Sequence, residues 1–154
     1  KVEDIFFSGT FGGETLSLAA ANVVIDKYKN KNVTTYLDKL GQYLLAKLNT
    51  LIENNYLQSI FYTSGHPAWS FLHIKEQEQY TTLEIKTFFL QEMFKRGILT
   101  LSSHNLSFSH TKADIDSLLE AYQEVLPMIK HHIDNKNLME NIHGDILQAL
   151  FKVR

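Results

Sequence analysis

The stretch of this chain best suited to hold an anion is Ser8-Gly9-Thr10-Phe11-Gly12-Gly13-Glu14-Thr15, with three glycines and three hydroxyls in eight positions. An apolar end, Ile5-Phe6-Phe7, precedes it, and a small-residue helix from Leu16 to Tyr28, containing Ala19-Ala20-Ala21, follows. A strand, a tight turn and a helix N-terminus in that order present free backbone N–H groups and the positive pole of the helix dipole, which together suit a phosphate. Gly9, Gly12 and Gly13 would let the backbone approach a bound group closely, and Thr10 adds a hydroxyl donor. The pattern is neither a Gly-Lys-Ser/Thr phosphate loop nor GxGxxG. A glycine-rich connection with no ligand is the other reading.

A second polar cluster, Ser102-Ser103-His104-Asn105, sits between the apolar runs Ile98–Leu101 and Leu106–Phe108. A loop between two strands can aim such groups into a cleft from a rigid scaffold, and it can equally be a plain hairpin turn. Ser64, His66 and an aspartate could be assembled into a hydrolytic triad, but GxSxG is missing, and Ser64-Gly65-His66-Pro67 is more simply a turn. His131 and His132 are adjacent in a helix, so they point to different faces and cannot jointly hold one ion. With no HxxxH, HExxH or carboxylate cluster, no metal site is expected.

The elements around these clusters follow from periodicity and capping. Leu16–Asn30 reads as a helix, and Lys27–Asn32 as its solvated exit. A second helix is expected to start at Thr35, with Asp38 as capping partner, and to end at Asn54-Asn55. Short strands are expected at Ser59–Thr63 and Trp69–Ile74. Thr81 with Glu84 opens a helix that Gly97 closes, and strands are expected at Ile98–Leu101 and Leu106–Phe108. Thr111 with Asp114 caps a long helix that Pro127 should kink or divide, and Leu138–Phe151 reads as a weaker last helix interrupted by Gly144. The fold class is α+β, a small, mainly antiparallel sheet with helices packed on it. Residues 1–15 form a glycine-rich lead-in, 16–133 the α+β domain and 134–154 a helical tail.

With 154 residues and 44% hydrophobic content, the chain can bury a real core. A net charge of −2 gives no electrostatic reason to bind nucleic acid or an anionic membrane. The absence of cysteine excludes disulfides and thiol chemistry and fits a cytoplasmic protein. No apolar run approaches the ~20 residues of a membrane span. The chain opens without methionine on what reads as the tail of a strand or loop, as expected of a piece of a longer protein.

The segment "SGTFGGETLSLAAA" resembles the opening of the C-terminal domain of class III pyridoxal-phosphate-dependent aminotransferases, in the branch of the glutamate-1-semialdehyde aminomutases. Downstream, "RGILTLSSHNLSFSHTKADIDSLLEAYQEVL" resembles that family's closing strand–loop–strand–helix, so the likeness spans about Phe6 to Leu126. The resemblance implies amino-group transfer on a small amino or oxo substrate, pyridoxal 5'-phosphate as cofactor, and a homodimer with the cofactor site at the subunit interface. Thr10 would contact the cofactor phosphate of the neighbouring subunit, Gly9 would shape the turn, and Ser103, His104 and Asn105 would lie on a loop facing the substrate. Aminomutases carry a longer loop there, with a glutamate, which leaves aminomutase and aminotransferase both open. The Schiff-base lysine and the aspartate that pairs with the cofactor's ring nitrogen precede this segment in the family. The 15 Lys and Arg residues here fall on polar faces or loops, so the chain alone is expected to be inactive. Two other functions fit the residues: a non-catalytic interaction module using a strand edge or the aromatic helix Phe88–Phe94, and a stand-alone phosphate binder built on Thr10.

Overall fold

The computed structural model describes residues 9–149; the expected strand end Ile5-Phe6-Phe7 and the last residues of the expected tail helix lie outside them. Two compact units are present, residues 1–36 and 37–154. The first contains a turn at 10–13 and helix α1, Thr15–Asn30, none of whose residues is buried. Helix α2, Val33–Asn54, runs on into the second unit.

The second unit is α+β. Strands β1 (Phe61–His66), β2 (Trp69–Ile74) and β3 (Ser103–Asn105) form an antiparallel sheet in the order β1-β2-β3. Helices α3 (Thr82–Lys95) and α4 (Lys112–Asp134) complete it. Leu48 and Ile52 of α2, Phe61 and Leu72 of the sheet, Phe88, Phe89 and Met93 of α3, and Tyr122, Leu126 and Ile129 of α4 share one core. That packing removes Phe88 and Phe89 from any docking face on α3, leaving Phe94 as the exposed phenylalanine of that run. Among the described residues no helix is long and apolar enough to cross a membrane.

Of the three expected caps, those at Thr81 and Thr111 form and the one at Thr35 does not. Thr81 Oγ1 accepts from the Glu84 amide while the Glu84 carboxylate accepts from the Thr81 amide, and Thr111 with Asp114 repeats the arrangement. Gly97 closes α3 in the left-handed region at φ +75, as a C′ glycine does. Elsewhere the boundaries differ from expectation for local reasons. Asn32, at φ 49, accepts from the Tyr36 amide and starts α2 early, which leaves Thr35 inside the helix. Tyr56, at φ 54, takes the left-handed position beyond the end of α2. Ser64-Gly65-His66 is strand paired with Phe71, Ser70 and Trp69, so the hairpin turns at Pro67-Ala68. Helix α4 continues through Pro127 as one element.

The expected tail helix is a strap. A single 3-10 turn, Met139–Asn141, is its one regular element among the described residues. The Gln91 amide reads the strap's backbone in both directions, donating to Asn141 O at 2.9 Å and accepting from the His143 amide at 2.7 Å. Thr87 Oγ1 accepts from Leu147 N, and the Tyr80 hydroxyl accepts from Leu138 N. These side chains, with Gly144 at φ +107, satisfy the backbone without a helix.

Candidate functional site

The second polar cluster is organised by β3. Ser103 pairs with Phe71, His104 with Ser70 and Asn105 with Trp69. Alternation along the strand separates the three side chains, sending His104 inward and leaving Ser103 and Asn105 on the opposite face. The residues expected in a loop are therefore the strand itself. The apolar runs expected as strands, Ile98–Leu101 and Leu106–Phe108, flank it as irregular backbone.

His104 is 4% exposed and bonded at both ring nitrogens. Nδ1 lies 2.9 Å from Ser70 Oγ on β2, and Nε2 lies 2.8 Å from the Tyr122 hydroxyl on α4. In the neutral ring one nitrogen donates and the other accepts, and a hydroxyl can serve either role. Burial away from water disfavours the imidazolium and lowers the His104 pKa to about 4. The same burial raises that of the Tyr122 phenol. The chain Ser70–His104–Tyr122 is thus a neutral brace that fixes β3 between sheet and helix. It does not itself face the solvent.

The other side of β3 borders a cavity of about 550 Å³. Its walls are β3, the 97–101 segment and the first turns of α4, with aliphatic groups from Ile98, Leu99, Leu101, Leu106, Ile115 and Leu118. Ser103, Asn105, Thr100 and Ser117 supply hydroxyl and amide groups, and His110 and Asp114 are the further ionisable residues. Asp114 is held below the usual carboxylate range by hydrogen bonds from the Thr111 backbone and hydroxyl, so it is ionised at neutral pH. Ser102, just before β3, has φ 70 and a buried Oγ with no hydrogen bond among the described residues. A non-glycine residue in that region costs on the order of 1–3 kcal/mol, and such strain concentrates at functional sites.

The glycine turn looks different from its expectation. Gly12 N donates to Gly9 O, closing the turn, and Thr10 is exposed. Glu14 caps α1 with its own carboxylate, accepting from Leu16 N at 2.8 Å and Ser17 N at 2.6 Å. Hydrogen bonds from the Ser17 side chain and backbone, then from Leu16, hold that carboxyl below its ordinary pKa. A negative group therefore already occupies the helix N-terminus, and a phosphate would be repelled there rather than drawn in. A Cβ on Gly9 or Gly13 would meet nothing within 4 Å, so close approach within this chain does not demand glycine at either position.

No family model matches the chain. One curated enzyme does. Over 136 residues the chain is 24% identical to a glutamate-1-semialdehyde 2,1-aminomutase of Methanosarcina acetivorans. The match takes in 79% of this chain and 31% of the aminomutase, so the chain spans under a third of that relative's length. The likeness is distant, and it is consistent with a piece of a protein of that family.

Ser64, set aside above as a triad member with His66, meets a different histidine. Ser64 Oγ lies 2.6 Å from Nε2 of His73, one strand across, while His66 Nδ1 accepts from Ala68 N. Period-two alternation through 61–66 would have put Ser64 and His73 on one face had residues 64–66 been read as strand. No carboxylate among the described residues is hydrogen-bonded to His73, so the triad is not assembled.

Proposed function

We propose that this chain is the C-terminal domain of a pyridoxal-phosphate-dependent aminotransferase or aminomutase, whose groove beside β3 forms one wall of the cleft for a small amino substrate. The observation that carries the reading is the 136-residue match to an aminomutase, which takes in most of this chain. Two features of the fold support it. Ser103 and Asn105 border a cavity large enough for a small amino compound. Leu16, Leu18, Val23, Val24, Ile25 and Tyr28 of α1 are all exposed, and a helix with apolar residues on so many sides is one that a larger protein encloses.

When bound, the cofactor supplies the electron sink that lets an amino group be exchanged. This chain's own residues do less. The exposed Thr10 hydroxyl would donate to the cofactor phosphate, while the α1 N-terminus, closed by Glu14, would not hold it. Ser103 and Asn105 can orient a substrate by hydrogen bonds, and the aliphatic wall excludes water from it. No described lysine is buried, so none has the apolar setting that would make its amine a nucleophile at neutral pH. The lysine would come from the rest of the enzyme, and the working unit would be a homodimer in which Thr10 serves the partner's cofactor.

Replacing Thr10 by Val in the longer protein tests the assignment. The change keeps the branched shape and removes a charge-assisted bond worth roughly 1.5–3 kcal/mol. Cofactor affinity is expected to weaken about ten- to a hundredfold, read by fluorescence titration of the apoenzyme. In a heterodimer of a Thr10→Val subunit with one lacking the lysine, the remaining lysine site is expected to keep near-normal affinity. Weak binding there would place the threonine in its own subunit's site and remove the argument for the dimer.

A further inference from the structure

The strap that follows α4 is held differently along its length. At its start Leu138 is fully buried, and its amide donates to the hydroxyl of Tyr80, itself a core residue. From Met139 to Ala149 no residue is buried, although Ile142 and Leu147 pack partly against the core. Among the described residues, two hydrogen bonds tie 142–149 to the rest of the unit. The His143 amide donates to Gln91 Oε1 at 2.7 Å, and the Leu147 amide donates to Thr87 Oγ1 at 3.0 Å. Thr87 and Gln91 share one face of α3 at the i, i+4 spacing, so the strap runs along that face. Gly144, between the two ties, has φ +107, and a Cβ there would meet nothing within 4 Å.

A segment with little buried apolar surface and few backbone bonds opens at far lower cost than the core it lies on. Here the two ties are joined by a short run of backbone. Once either amide leaves α3, that run is no longer fixed at both ends, and keeping the other bond means ordering it for less return. We propose that residues 142–149 are a latched strap that opens from α3 as one unit while Leu138 stays seated, with Gln91 as the latch. The Gln91 amide accepts from His143 and donates to Asn141, so it grips the chain on both sides of the point where the opening segment leaves the 3-10 turn. Closed, the strap covers the Thr87–Gln91 face of α3 and requires the positive φ of Gly144. Open, it bares that face, which lies between the exposed Leu83 and Phe94, and frees Gly144 from that conformation.

Amide hydrogen exchange of the 154-residue chain, read residue by residue by NMR, tests this. In the wild type, His143 and Leu147 are expected to be protected to the same degree, and about a hundredfold less than Leu138 and Val125. Gln91→Ala removes the bonds to Asn141 and His143 and is expected to speed exchange at His143 about tenfold. The same factor is expected at Leu147, which is bonded to Thr87 and not to Gln91. Gly144→Ala, which meets no atom of the fold and disfavours only the closed backbone, is expected to speed both amides together. Exchange of His143 and Leu147 as slow as that of Val125 would mean that the strap opens only when the protein unfolds. Unequal protection of the two, or a variant that speeds one and leaves the other, would mean fraying without a latch. Exchange of Leu138 in step with them would put the boundary in the wrong place, and full exposure of all three would mean no closed strap. Each of these results would overturn the proposal.

Discussion

Gly41→Ala is expected to destabilise the protein, although alanine is the better helix former. Gly41 lies in α2 against the β1–β2 turn, and a Cβ there would meet Pro67 O at 2.0 Å, Pro67 C at 2.3 Å and Pro67 Cα at 2.9 Å. These are backbone atoms, so helix and hairpin would have to separate. Overpacking of this severity costs about 3 kcal/mol, against about 1 kcal/mol gained in helix propensity. The net loss of about 2 kcal/mol corresponds to a fall in Tm of roughly 4–8 °C, measurable by circular dichroism. A Tm that rises, as it would for a solvent-facing mid-helix glycine, would contradict the close packing of α2 on the turn.

Acidification provides the second large effect, through His104. Its folded-state pKa is lowered to about 4 by burial, whereas an unfolded chain titrates near 6.5. Between those values the unfolded state binds more protons, so stability falls as the pH falls. The His104 contribution is complete above about pH 6.5 and lost progressively down to about pH 4. The loss amounts to about 3 kcal/mol at ~1.36 kcal/mol per pKa unit. Urea unfolding of the wild type and of His104→Gln, compared across pH 4–7, separates this term from the carboxylates. The variant is expected to be less stable at pH 7, with the gap closing toward pH 4. Parallel stability curves would mean that His104 is solvated and that the brace to Ser70 and Tyr122 does not hold.

Much of this architecture was legible because its signals are local. The Thr81–Glu84 and Thr111–Asp114 boxes, the closing glycine at 97 and the β2 strand are all readable within a few residues. The errors arose where a distant partner decides the outcome. Ser64-Gly65-His66 has the composition of a turn, and only pairing with β2 makes it strand. Residues 138–149 have a helical pattern, but Gln91 and Thr87, some 50 to 60 positions away, capture their backbone instead. His104 was singled out as chemistry-bearing, yet its partners at positions 70 and 122 make it a brace, and no spacing rule links the three. Glutamate is not a usual N-cap residue, so no local signal marks the Glu14 carboxylate that closes the α1 N-terminus.

The central claim, that this chain is the C-terminal domain of a pyridoxal-phosphate enzyme, is tested most directly by locating the cofactor lysine. The longer protein and the 154-residue chain are each incubated with pyridoxal phosphate, reduced with borohydride and mapped by mass spectrometry. The account predicts one stoichiometric phosphopyridoxyl-lysine in the longer protein, at a position before Lys1, and none in the chain alone. A single stoichiometric site within residues 1–154, or no specific site in the longer protein, would contradict it.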